Sequence, residues 1–98
     1  MHSTVDTNYA SGYPTVSITS PSDQSSVSGE ATISAAASDK SAIRKVEFYV
    51  DWKLQTTVTS PPYDFNWTNG TTGSHVVAAM AYSNAGIRNC YTVTLNEQ

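Results

Sequence analysis

Ser74, His75 and Asp64 come nearest to a catalytic set in this 98-residue chain. A hydroxyl, an imidazole and a carboxylate are the parts of a nucleophile, base and orienter. Nothing near them forms a sharp nucleophile turn or a pair of backbone donors for an oxyanion. His75 shares its alternation parity with Val77 and reads as a strand-start histidine satisfied by a neighbour. No catalytic residue is assigned. Asp23, Glu30, Asp39, Glu47, Asp51 and Asp64 are scattered, with no Asp-x-Asp-x-Asp loop and no His/Cys ligand spacing, so neither a metal nor a cofactor is assigned. Asp39, ahead of Lys40-Ser41, reads as a side-chain turn cap. Asn66-Trp67-Thr68 and Asn69-Gly70-Thr71 fit the N-glycosylation pattern, which a bacterial source would leave unused.

Aromatic residues offer a second kind of chemistry. A flat ring binds a sugar by receiving its C–H groups on the π-face. Trp52, in a turn, and Tyr49, opposite in parity to Phe48, are the pair placed to do so. The competing reading makes them ordinary sheet-surface residues, and it is preferred because tyrosine favours strands and single exposed rings are common. Val76, Ala78, Met80 and Tyr82 form an outward stripe. A connected apolar outer face needs a reason, and contact with a neighbouring domain supplies one. Cys90 falls beside this stripe as a small packing residue.

The elements that position these residues are strands. Residues 1–13 are polar without period and read as a tail or linker; the folded domain is expected over 14–96. Val16 and Ile18 alternate with polar neighbours. Ala31, Ile33, Ala35 and Ala37 alternate over a strand from Glu30 to about Ser38. From Arg44 to Asp51, Val46, Phe48 and Val50 oppose Lys45, Glu47, Tyr49 and Asp51. Slipping that register by one residue would bury two carboxylates and a lysine. Leu54–Thr59, Tyr63–Trp67, Ser74–Tyr82 and Ile87–Leu95 complete seven strands at regular spacing with no helical period, the pattern of an all-β sandwich of antiparallel strands in two sheets. Val27, Leu54, Phe65, Trp67, Ala79, Ala81, Tyr91, Val93 and Leu95 join the inward set, with Phe48 and Trp67 filling the space that inward alanines leave.

Composition narrows the partners. Hydrophobic residues are 39% of the chain and charged residues 13%; Ser and Thr fill more than a quarter. Five Lys+Arg and a net charge of −3 argue against nucleic acid, which demands a concentrated basic surface. No apolar run approaches the ~18 residues of a membrane span. Cys90 is the only cysteine, so no intrachain disulfide forms. The Ser/Thr-rich, Lys-poor texture leans toward a bacterial or archaeal surface protein. Met1-His2-Ser3-Thr4 has neither the basic start nor the apolar stretch of a signal peptide, and Met1 reads as a start placed on a fragment of a larger chain.

Several segments match a known family in order: Pro14 to Pro21, Ala35 to Asp39, Ile43 to Asp51, Ser60 to Trp67, Gly73-Ser74-His75 and Ala81 to Gly86. Together they resemble the bacterial Ig-like domains that stand beside catalytic domains in secreted glycoside hydrolases, chitinases, proteases and surface proteins. The resemblance implies an immunoglobulin-like β-sandwich in an extracellular multidomain chain. It implies a non-catalytic accessory or spacer role, monomeric as an isolated domain, with neighbouring domains as partners and polysaccharide as the alternative ligand. Two departures stand out. Trp52 occupies a turn position where the family usually has glycine, which takes φ > 0 freely. Ser83 and Ile87 replace an Asp and an Asn, which removes the expected bracing of that corner.

Overall fold

A computed structural model describes residues 14–68 and 70–98. The expected linker at 1–13 and the glycosylation candidate Asn69 lie outside the described residues. Period-two alternation yields eight strands: β1 (Thr15–Ser20), β2 (Ser26–Val27), β3 (Ala31–Ser38), β4 (Ile43–Val50), β5 (Lys53–Val58), β6 (Tyr63–Trp67), β7 (Gly73–Ser83) and β8 (Arg88–Glu97). They form a three-stranded sheet, β1-β3-β6, and a five-stranded sheet, β2-β8-β7-β4-β5. All pairings are antiparallel except β2 with β8. Among the described residues no helix is long and apolar enough to cross a membrane.

The core lies between the inner faces. Phe48, Val46, Ile33, Val77, Ala79, Ala81 and Leu95 are wholly buried. Phe48 pairs with Ala79 across β4 and β7, so the alanine leaves room on its face. The Phe48 ring stacks on Phe65 of the other sheet, centroids 5.7 Å apart. Trp67 closes one end of the sandwich at 5% exposure.

Three sequence expectations change. The eighth strand, β2, has only two residues, too few to show alternation; its pairing to Asn96 and Glu97 is tertiary. Leu54 is not inward. Phe48 pairs with Thr56 but Tyr49 pairs with Leu54, so a bulge at Gln55 turns Leu54 to the outer face, where it is 53% exposed. Tyr91 keeps inward parity opposite Ala79 yet is 39% exposed. Only the C-terminal end of β8 is covered by β2, and Tyr91 sits on the open half.

Corners are braced by side chains. Asp39 caps its turn as expected: Oδ2 accepts the Ser41 amide (3.0 Å) and hydroxyl (2.6 Å), which hold its carboxyl below the ordinary range. At the β7–β8 corner the bracing is retained despite the Ser83 departure. The buried Ser83 hydroxyl accepts the amides of Ala85 (3.2 Å) and Ile87 (3.3 Å). Ser83→Ala orphans those amides and is expected to destabilise the fold by about 1–2 kcal/mol, measurable by urea denaturation; an unchanged midpoint would show that water replaces the hydroxyl.

Candidate functional site

The turn between β4 and β5 is the starting point. Val50 pairs with Lys53, leaving Asp51-Trp52 as a two-residue loop with φ of 51° and 66°. Both positive angles define a type I′ turn, whose twist matches the strands it joins. Asp tolerates this conformation; tryptophan adopts it at about 1–2 kcal/mol relative to glycine. Trp52 is nevertheless 60% exposed, so most of its surface stays in water.

Asp51 ties the turn to β7. Its amide donates to the Val76 carbonyl (2.8 Å), and its Oδ1 accepts the Val76 amide (3.0 Å). Its Oδ2 lies 2.6 Å from His75 Nδ1. The other ring nitrogen, Nε2, lies 2.5 Å from the Thr71 carbonyl. Two acceptors facing two ring nitrogens fit the doubly protonated imidazolium. The Asp51 carboxylate and then the Thr71 carbonyl raise the His75 pKa against the effect of burial. Reciprocally, His75 holds Asp51 below the ordinary carboxylate range. The imidazole also meets the Trp67 ring edge-on at 5.2 Å. The strand-start histidine is thus satisfied by neighbours, and Asp64 and Ser74 belong to other contacts: Asp64 pairs with Ser34 on the three-stranded sheet, and the Ser74 hydroxyl donates to Asn96.

Beside this clamp a cleft of about 280 Å³ opens at the end of the sandwich, walled by Asp51, Lys53 and Gln55 on one side and Trp67, Thr71 and His75 on the other. Gly70 lets its own backbone lie on the indole; a Cβ there would stand 2.5 Å from Trp67 Cζ2. Gln55 donates to the Lys53 carbonyl (3.1 Å), and Lys53 has no ion-pair partner among the described residues. Sequence parity separated Asp51, Gln55 and His75 onto different strands without a sign that they meet. The Gly after an Asn in a Thr-rich loop was the available signal for close backbone approach.

Tyr49 lies elsewhere, on the outer face of the five-stranded sheet in register with Leu54 and Ala78. Its hydroxyl donates to Glu47 Oε1 (2.7 Å), which also accepts from Tyr82 (2.9 Å). Lys45 approaches Glu47 Oε2 at 3.3 Å and lies 4.6 Å over the Tyr82 ring. Burial raises the Glu47 pKa, but these donors outweigh it and leave the carboxyl below its ordinary range. The carboxylate in turn pushes Tyr49 up to about 12. Sequence parity placed Glu47 outward, and it is; the two tyrosines and the lysine then fold over it and bury it. Along the stripe, Val76, Met80 and Tyr82 are partly exposed, whereas Ala78 is 1% exposed and has almost no surface to offer. Cys90 pairs with Met80 on that face and is exposed, with burial of its sulfur raising the thiol pKa.

With this geometry established, comparison with solved structures identifies the fold. The fibronectin(III)-like modules of Clostridium thermocellum CbhA superpose with a TM-score of 0.74 at 24% identity, over 86% of this chain and 96% of that one. An endo-beta-1,4-mannanase from Thermotoga petrophila superposes with a TM-score of 0.68 at 14% identity; the match covers 87% of this chain and 20% of the mannanase chain. At these identities the likeness concerns the fold alone. No curated protein matches the chain. A sequence family described as bacterial Ig domain matches residues 14–79, more than half of the chain. The chain belongs to the bacterial Ig domain family.

Proposed function

We propose that this chain is a non-catalytic spacer module of a larger extracellular multidomain protein, a polysaccharide-degrading enzyme or a surface protein, and that it holds neighbouring domains apart. The observation that carries this reading is where the two ends of the fold lie. The Pro14 carbonyl accepts from the Asn89 side chain (3.1 Å), near the start of β8. The Gln98 amide donates to the Val27 carbonyl (2.9 Å) just beyond the end of that strand. From Asn89 to Gln98 an extended chain rises about 3.4 Å per residue, which separates entry and exit by about 30 Å. Both ends are tied down. Segment 23–29 runs along the last part of β8: Asp23 accepts the Thr94 amide (2.7 Å), and Glu97 accepts the Gly29 amide (2.8 Å). The module would thus transmit position rather than bend. The outer stripe of Val76, Met80 and Tyr82 is the face proposed to rest against a neighbour.

Energy transfer between dyes at Thr15→Cys and Gln98→Cys, in a Cys90→Ser background, tests this reading. A single narrow distance near 30 Å plus the dye linkers is expected; a broad distribution or one centred below about 20 Å would remove the spacer role.

A second reading, polysaccharide binding through exposed aromatic rings, is favoured by one specific observation: Trp52 is held exposed at positive φ. Strained, exposed residues are commonly kept for function.

A further inference from the structure

We propose that the cleft between the β4–β5 turn and the residues Gly70, Thr71 and His75 is a saccharide-binding site, with the neighbouring Trp52 as the stacking surface for one pyranose ring. The proposal rests on the polysaccharide-binding reading and relocates it, because Tyr49 is committed to Glu47 on the outer sheet face. Five observations converge.

Trp52 lies in the chain between Asp51 and Lys53, which both wall the cleft, and is itself exposed, which sets the residue next to the cleft without lining it. Its conformation is one that glycine would adopt without strain, yet the residue there is a tryptophan that stays 60% exposed. The volume, about 280 Å³, is at the small end of ligand sites and suits one or two sugar rings rather than a large cofactor. The polar groups around it are those that bond hydroxyls. The Lys53 ammonium carries three donors without an ion partner among the described residues, and Gln55 uses one amide hydrogen on the Lys53 carbonyl, leaving its carbonyl and second hydrogen. Finally the floor is preorganised. His75 is held from both nitrogens and stands against Trp67, so the wall opposite Lys53 does not have to be ordered on binding.

These groups match a hydroxyl-rich ring: an aromatic plane for its C–H face, and unspent donors and acceptors for its edge. They do not match an anion, since Asp51 faces the same space, or an apolar ligand, since the walls are mixed.

The test is a backbone amide NMR titration of the chain with cellohexaose, xylohexaose, chitohexaose and mannohexaose. With at least one of them, shift changes are expected to cluster at residues 51–55 and 67–75. Trp52→Ala and Gln55→Ala should each weaken that binding about tenfold. Trp52→Gly should weaken it equally while raising the unfolding midpoint, so loss of binding is not loss of fold. Shift changes centred on Tyr49, Leu54 and Met80 would overturn this site and leave polysaccharide binding on the sheet face. No shift with any of the four at millimolar concentration would overturn both the site and the binding reading, without touching the spacer reading.

Discussion

Trp67→Ala is expected to lower the unfolding free energy by about 3–5 kcal/mol, the usual loss for a large aromatic removed from a core. For a domain of this size that corresponds to a fall in melting temperature of roughly 15 °C or more. The ring is 5% exposed, seated on β6 opposite Ala31, and covered by His75 and by the backbone at Gly70. Neither cover can collapse into the vacated space easily. His75 is bonded on both sides, and Gly70 belongs to a loop tied to His75 through Thr71. Thermal melts followed by circular dichroism measure the loss; a change below about 1 kcal/mol would mean that the indole packs in no core. Gly70→Ala provides the complementary check. Its Cβ would overlap the indole, so a loss of about 1–3 kcal/mol is expected in the native background. In the Trp67→Ala background the same change should be nearly neutral, because the overlapping atoms are gone.

His75→Ala is expected to cost about 2 kcal/mol. It removes two charge-assisted hydrogen bonds, each worth about 1.5–3 kcal/mol in protected settings. Asp51 is half exposed, so water screens its share and the sum stays near the lower figure. The same clamp makes stability depend on pH, and the sign follows from the two shifts. The His75 pKa is raised above its ordinary 6.5 by Asp51 and then by the Thr71 carbonyl. Its contribution is therefore complete below 6.5 and is lost as pH rises through the folded value. The Asp51 pKa is lowered from 3.8, so its contribution is complete above 3.8 and is lost as pH falls through the folded value. The clamp holds fully between those limits. Urea midpoints should decline from pH 6.5 to 9 in the native chain and stay level in His75→Ala. Tyr49, Tyr82 and Cys90 also have raised pKa values, but from ordinary values of 10.0, 10.0 and 9.0, so their stabilisation is lost only as pH climbs past 9, and it is lost equally in His75→Ala. Parallel profiles for the two proteins would show that His75 is neutral in the fold.

The clamp was hard to read from the chain because its parts come from three places: a turn at 51, a loop at 71 and a strand start at 75. Strand parity said that His75 points with Val77, and that was enough to place it near the inner face at the sandwich end. It did not say which carboxylate would meet it. Asp64, nearer in sequence, lies on the other sheet, whereas Asp51 is carried to His75 because Val50 pairs with Val77. Leu54 shows the same limitation in a different form. Alternation within Leu54–Thr59 holds for Thr56 and Val58, but one extra residue in the pairing with β4 reverses the face of Leu54. A bulge leaves no mark in hydrophobic pattern, because it is a property of two strands together.

Period-two alternation, punctuated by proline, glycine and Asp-Lys-Ser turns, was sufficient by itself to determine an all-β sandwich, the identity of its Phe48 and Trp67 filling and the register of β4. These follow from local geometry: side chains alternate faces along any strand, and burying the charged face of β4 is too costly to occur. Tertiary structure alone decided that β2 clasps β8, that Leu54 faces outward, that Glu47 is covered by two tyrosines, and that a histidine clamp floors a cleft beside Trp52. Each of these depends on which strands become neighbours and with what offset, a choice made by the whole core at once rather than by any segment of it.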